Sequence, residues 1–232
     1  MDERFCGPPR SGNGGYVCGR IARPLQGTVA VRLKAPPPLR AALRLESTDE
    51  ASHLFQGETL IGEARCAVLD LQAPPCPAYD DAERAVLNYS GFRAHAFPGC
   101  FVCGPARLPA DGLRIFPGPV GEAGLLAAPW SPDASLADGE GQIGTEFLWA
   151  ALDCTGGFAV LPVPPGMAIV LGELCATIAS PVAAGEPCVV IGWPLGVDGR
   201  KRVAGSAVYT ATGRLVAQAR ATWITVSAAS WG

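Results

Sequence analysis

Charge and histidine are scarce in this chain of 232 residues: charged side chains make up 17% of it, and His53 and His95 are its only imidazoles. Neither histidine falls in a recognisable nucleophile or metal motif, which argues against Ser-His and Cys-His catalysis. A net charge of −3 and a pI near 5.4 exclude a general basic footprint for nucleic acid, and no basic-aromatic stripe supplies a local one. The exception is the start of the chain, where Arg4, Arg10, Arg20, Arg23, Arg32, Lys34, Arg40 and Arg44 face only Asp2 and Glu3. That local excess suits phosphates and solvated strand surfaces equally.

An apolar signal core is missing from Met1-Asp2-Glu3-Arg4-Phe5-Cys6, so a cytoplasmic location is expected. Long spanning runs are missing too, because Pro162, Pro164 and Pro165 break the charge-free stretch between Asp153 and Glu173; no membrane contact is expected. The nine cysteines are odd in number and irregular in spacing, which suits free thiols better than a disulfide framework. What is abundant is 49% hydrophobic residues, 29 Gly and 22 Pro, the composition of a compact protein rich in strands and turns.

Two segments read as copies of one helix opening: Asn13-Gly14-Gly15-Tyr16, leading to Ala22, and Gly144-Thr145-Glu146-Phe147-Leu148-Trp149, leading to Asp153. The first keeps a Gly-Gly turn and lacks a carboxylate; the second has lost the glycines and keeps Asp153 at the matching place. Strand candidates follow each. After the first come Thr28–Leu33, Ala41–Glu46 and Thr59–Leu69; after the second come Glu173–Ile178, Cys188–Trp193, Arg202–Thr210 and Leu215–Ile224. In the last, Val216, Gln218, Arg220 and Thr222 alternate with Leu215, Ala217, Ala219, Ala221 and Trp223, the pattern of a half-buried antiparallel strand. Asp198-Gly199 and Thr212-Gly213 supply hairpin turns. Phe147 to Ala151 is apolar all round, so its helix should be wrapped by a sheet. Between Gln72 and Gly141, Leu113–Phe116 and Leu125–Ala128 are short strand candidates.

These residues resemble the hot-dog-fold acyl-CoA thioesterases, in a double hot-dog arrangement nearest to the phenylacetyl-CoA thioesterase branch. Asn13-Gly14-Gly15-Tyr16 is similar to that family's His-Gly-Gly-Tyr helix opening, with Asn in place of His. Cys100-Phe101-Val102-Cys103-Gly104 followed by Gly112-Leu113-Arg114-Ile115 is similar to the segment that leads into the repeat of many members, and Gly213 to Ala219 to their closing strand. The resemblance implies an α+β fold of two antiparallel sheets, each wrapped on a central helix and merged as a pseudo-dimer. The expected division is a repeat over residues 1–75 that is truncated at its start, a linker over 76–98, and a second repeat over 99–232.

It also implies a thioester chemistry. Backbone N–H groups at a helix start can receive an oxyanion, and Gly14 and Gly15 leave room for a carbonyl to approach. Asn13 is an N-cap candidate that also offers an amide donor. Nine helical residues put Asp153 about 13 Å from its own helix start, so it can serve only the other helix, if the two run antiparallel. The resemblance then makes Asp153 a general base or nucleophile, with Asn13 and Gly15 polarising the carbonyl. Tyr16, Trp149 and Glu146 join Gly14 as substrate-binding candidates, although the aromatics equally suit a core and an acid in a first helical turn is favoured by the dipole alone. Arg200 and Arg202 lie at a hairpin where relatives hold coenzyme A phosphates.

The expected function is binding and hydrolysis of an acyl-CoA thioester between the repeats, with no cofactor beyond the coenzyme A of the substrate and with chains paired as homodimers. The alternative is a non-catalytic acyl-CoA or lipid binder. A hot-dog hydratase would need an Asp-His pair that neither histidine supplies. Cys100 and Cys103 with His95 and Cys76 form a candidate zinc knuckle, but no second clear cysteine pair accompanies it, and no metal is expected.

Overall fold

Asn13, in extended conformation, turns the chain into its first α-helix by accepting the Tyr16 N–H on Oδ1 at 2.9 Å, which satisfies one of the orphan donors of Gly14–Ala22 (α1). The computed structural model describes residues 1–121 and 124–231. After α1 come Thr28–Leu33 (β1), Arg44–Ser47 (β2), Ala51–Gln56 (β3) and Thr59–Cys66 (β4). A short helix, Tyr79–Ala85 (α2), and single helical turns lead to Gly118–Pro119 (β5) and Leu126–Trp130 (β6). The second unit then has Thr145–Ala159 (α3), Met167–Ile178 (β7), Cys188–Asp198 (β8), Lys201–Thr210 (β9) and Leu215–Ser227 (β10).

The strands form one sheet in the order β2-β3-β4-β1-β7-β10-β9-β8-β6-β5, with every neighbouring pair antiparallel. The seam between the units is β1 against β7, running from Thr28 opposite Thr177 to Arg32 opposite Glu173. At one end the two threonine hydroxyls lie 2.6 Å apart; at the other Arg32 and Glu173 pair at 2.7 Å. That ion pair is partly exposed and contributes about 0–1 kcal/mol, so the backbone ladder holds the seam.

Residues Phe147 to Gly157 of α3 are all buried, and the helix packs on β7, β8, β9 and β10. Full burial of Leu148 and Leu152 contributes about 1.5–3 kcal/mol each. α1 lies across α3 rather than in a separate core, so one continuous cluster spans both units. No helix among the described residues is long and apolar enough to cross a membrane.

One strand was not expected, and two local expectations need correction. Ala51–Gln56 is a strand, although its Ser52 and His53 disguise it. Leu113–Phe116 is not one: its amides bond to the Phe101 and Val102 carbonyls, and Arg114 takes a positive φ of 54° that interrupts any ladder. Val216 is buried with Ala217, because a bulge between Leu215 and Ala217 breaks the alternation at the start of β10.

Candidate functional site

The two helices cross antiparallel at glycines of α1. A Cβ on Gly15 would sit 2.5 Å from Asp153 Cβ and 2.6 Å from Trp149 O, and one on Gly19 would sit 2.5 Å from Glu146 Cα. Small residues are therefore needed for the helices to approach, independently of any ligand. The crossing delivers Asp153, 2% exposed, to the start of α1. Its Oδ2 accepts the Gly15 N–H and an Asn13 Nδ2–H, both at 2.9 Å.

Its other oxygen, Oδ1, is buried and has no partner among the described residues. An unsatisfied buried acceptor costs about 1–3 kcal/mol. Burial pushes the Asp153 pKa up to about 7, and the charge of Cys100 adds to that, while the donors of Gly15 and Asn13 pull the other way. The mirror-related place has no acid: α1 ends in buried Ala22, and Glu146 stands at the start of α3, so the described residues hold one such carboxylate and not two.

Beside Asp153 opens a cavity of about 1090 Å³. Asn13, Gly14 and Asp153 form part of its wall; Phe158, Leu161, Ile169, Leu171, Trp223 and Ile224 make it apolar. Contributions come from α1, the end of β1, α3, β7 and β10, so the cavity belongs to both units. Gly14 is pressed against β7, since a Cβ there would lie 2.8 Å from Leu171 Cβ.

Several residues singled out from sequence lie elsewhere. Asn13 and Gly15 direct their donors at Asp153, not into open space. Tyr16 is 3% exposed, stacks on Phe5 with ring centroids 4.2 Å apart, and takes a hydrogen bond from Arg20; it is core. Trp149 is buried in the same cluster and Glu146 lies at the helix crossing, neither on the cavity wall. Arg200 is exposed away from the wall, and Arg202 donates to Val160 O at 2.8 Å, capping the C-terminal end of α3.

The cations that do line the cavity are Lys34 and Arg93. Lys34 pairs with Glu63 at 2.8 Å, whereas the Arg93 side chain is exposed without a partner among the described residues. Sequence reading named Lys34 only within the basic start of the chain and missed Arg93, and also Cys154, which joins Cys100 and Cys103 on the wall next to Asp153. Single surface cations in loops carry no pattern, and Cys154 is hidden inside an apolar helix.

No protein-family model matches the chain, and none of the curated proteins does. Its structure is similar to the TesB protein of Mycobacterium avium subsp. paratuberculosis, at 12% identity over 93% of this chain and 87% of that one, with a TM-score of 0.59. It is also similar to a thioesterase II, so described as putative, of Thermobifida fusca, at 16% identity over 97% and 90% with a TM-score of 0.58. A protein of unknown function with a hot-dog fold from Alicyclobacillus acidocaldarius matches at 9% identity over 98% and 91%, with a TM-score of 0.59. With two helix-and-strand units sharing one antiparallel sheet and structural matches that run the length of both, the chain has the double hot-dog fold.

Proposed function

We propose that the chain binds an acyl-CoA or closely related thioester in the cavity between its units and hydrolyses it, with Asp153 as general base. What carries this reading is one carboxylate, fixed by Gly15 and Asn13 through Oδ2 and left with a buried, unpartnered Oδ1, in a residue that lines an apolar cavity. A buried acid is expensive to keep unless it is used or paired, and this one is paired through a single oxygen. The similarity to proteins described as TesB and as a thioesterase II supports the substrate class.

In the proposed reaction Asp153 removes a proton from a water molecule whose oxygen adds to the thioester carbonyl. Negative charge then develops on the carbonyl oxygen. Gly14, the first residue of α1 and part of the cavity wall, offers its N–H there, and the helix dipole adds to it. Asn13 and Gly15 are positioning residues, because their hydrogens go to Asp153. Collapse of the adduct breaks the C–S bond, and the leaving thiolate takes the proton held by Asp153. The acyl group lies along Ile169, Leu171 and Ile224, and Arg93 at the cavity wall meets a phosphate of the coenzyme.

The test is a panel of acyl-CoA esters with thiol release as the readout, run on the wild type and on Asp153→Asn. A binding-only reading is favoured by the engagement of the Gly15 and Asn13 donors within the protein. It predicts equal ligand affinity and equal background hydrolysis for the two proteins.

A further inference from the structure

The proposed hydrolysis leaves unused three buried thiols beside its base. Cys100 and Cys103 end a tight turn, and Cys154 reaches them from α3. Their sulfurs lie within 4.8 Å of one another, and those of Cys100 and Cys154 are 3.7 Å apart. Thiolates bound tetrahedrally to a metal at about 2.3 Å stand about 3.8 Å from each other, so little movement separates this cluster from a coordination sphere.

The turn itself is constrained. A Cβ on Gly104 would fall 2.5 Å from both N and O of Cys100, so only glycine closes it. Several polar groups around the sulfurs are donors, although the Asp153 carboxylate also stands beside them. Asn13 Nδ2 lies 3.9 Å from Cys100 Sγ and 3.8 Å from Cys154 Sγ, and the Val102 and Cys103 amides also serve the Cys100 sulfur. His95 Nε2 lies 3.3 Å from Cys103 Sγ.

Because His95 Nδ1 accepts the Phe97 N–H at 2.9 Å, a neutral His95 ring carries its proton on Nε2 and donates it to that sulfur. Cys76, the other ligand the sequence suggested, packs in a different cluster with Trp193 and Tyr209.

We propose that Cys100, Cys103 and Cys154 bind a soft divalent metal ion of the zinc class, with His95 and Asn13 donating to the ligating sulfurs and the fourth position turned to the cavity. Three thiolates without a cation would repel one another in a dry site, whereas a divalent ion offsets them and matches their softness. Donors to the ligands, of the kind His95 and Asn13 provide, fix their orientation and charge. The ion would tie the 95–104 segment to α3 and so hold the wall next to Asp153. The proposal does not rest on thioester hydrolysis, since metal content and turnover are read separately.

The full chain is purified without chelator, loaded with zinc or with cobalt, and assayed for metal by mass spectrometry and for cobalt by its sulfur charge-transfer absorption. The wild type is expected to hold one ion per chain with a tetrahedral thiolate cobalt spectrum. Cys103→Ser and Cys154→Ser are expected to lose it while circular dichroism reports the fold, and His95→Phe to weaken zinc binding by about 10- to 100-fold. Cys66→Ser, at an exposed position, keeps the ion. Reduced wild-type protein that takes up neither metal overturns the proposal. So does a folded Cys154→Ser that keeps its ion, or a Cys100–Cys154 disulfide in the freshly purified chain.

Discussion

Asp153 Oδ2 accepts the Gly15 N–H at 2.9 Å across 138 residues of chain, joining the middle of one unit's helix to the start of the other's. The contact depends on the helix crossing, so changes that spread the helices reach the carboxylate.

Gly15→Ala is the direct probe of that crossing. The new methyl would press on Asp153 Cβ and on the Trp149 carbonyl, neither of which can swing away as a side-chain end does. Overpacking of this kind costs about 1–3 kcal/mol. A fall of several degrees in thermal midpoint is expected, with loss of thiol release beyond what stability explains. Gly139→Ala, where nothing lies within 4 Å of the added carbon, should leave the midpoint unchanged.

Ile169→Trp narrows the apolar wall without touching the helix crossing. Each methylene kept out of the cavity forfeits about 0.8 kcal/mol, about fourfold in affinity. Across a series of acyl lengths the optimum should move to shorter chains, seen as KM values that rise with length more steeply than in the wild type.

For Arg93→Ala the expected signature lies in the comparison of two substrates. A full coenzyme A ester should show a raised KM, whereas the matching pantetheine ester, which lacks the nucleotide phosphates, should not. Equal effects on both would remove Arg93 from phosphate recognition.

Thiol chemistry checks the packing of the sheet. Cys66 is exposed, while burial pushes the Cys188 thiol up to about 12. At pH 8 almost no Cys188 is thiolate, the reactive form, so iodoacetamide should label Cys66 and spare Cys188 in the native protein. Both should be labelled after denaturation.

Much of this architecture was legible from short-range signals. Asn13 before two glycines announced α1, the unbroken apolar run from Phe147 announced a wrapped helix, and alternation plus Gly199 and Gly213 announced the hairpins that join β8, β9 and β10. The pairing of Asp153 with the Gly15 turn followed from helix length and the missing acid at Ala22. Less visible was why the glycines are there. Gly15 and Gly19 admit α3, and Gly14 admits Leu171, which is a packing demand that a ligand-centred reading of Gly-Gly conceals.

The strand at Ala51–Gln56 was missed because its polar residues fall where two neighbours, β2 and β4, supply the order that its own pattern lacks. Arg202 looked like a phosphate contact because its place in a hairpin says nothing of the Val160 carbonyl beside it. Of the thiol cluster the sequence offered Cys100 and Cys103 beside His95 but not Cys154, which lies 54 residues from Cys100 and meets it only through the packing of α3.

Thiol release from acyl-CoA esters, measured side by side on wild type and Asp153→Asn, bears most directly on the site built from both units. Asn keeps the size and an acceptor for the Gly15 amide but cannot take a proton, so a drop of about 10²-fold or more is expected with the thermal midpoint little changed. Hydrolysis by Asp153→Asn at the wild-type rate would contradict the account.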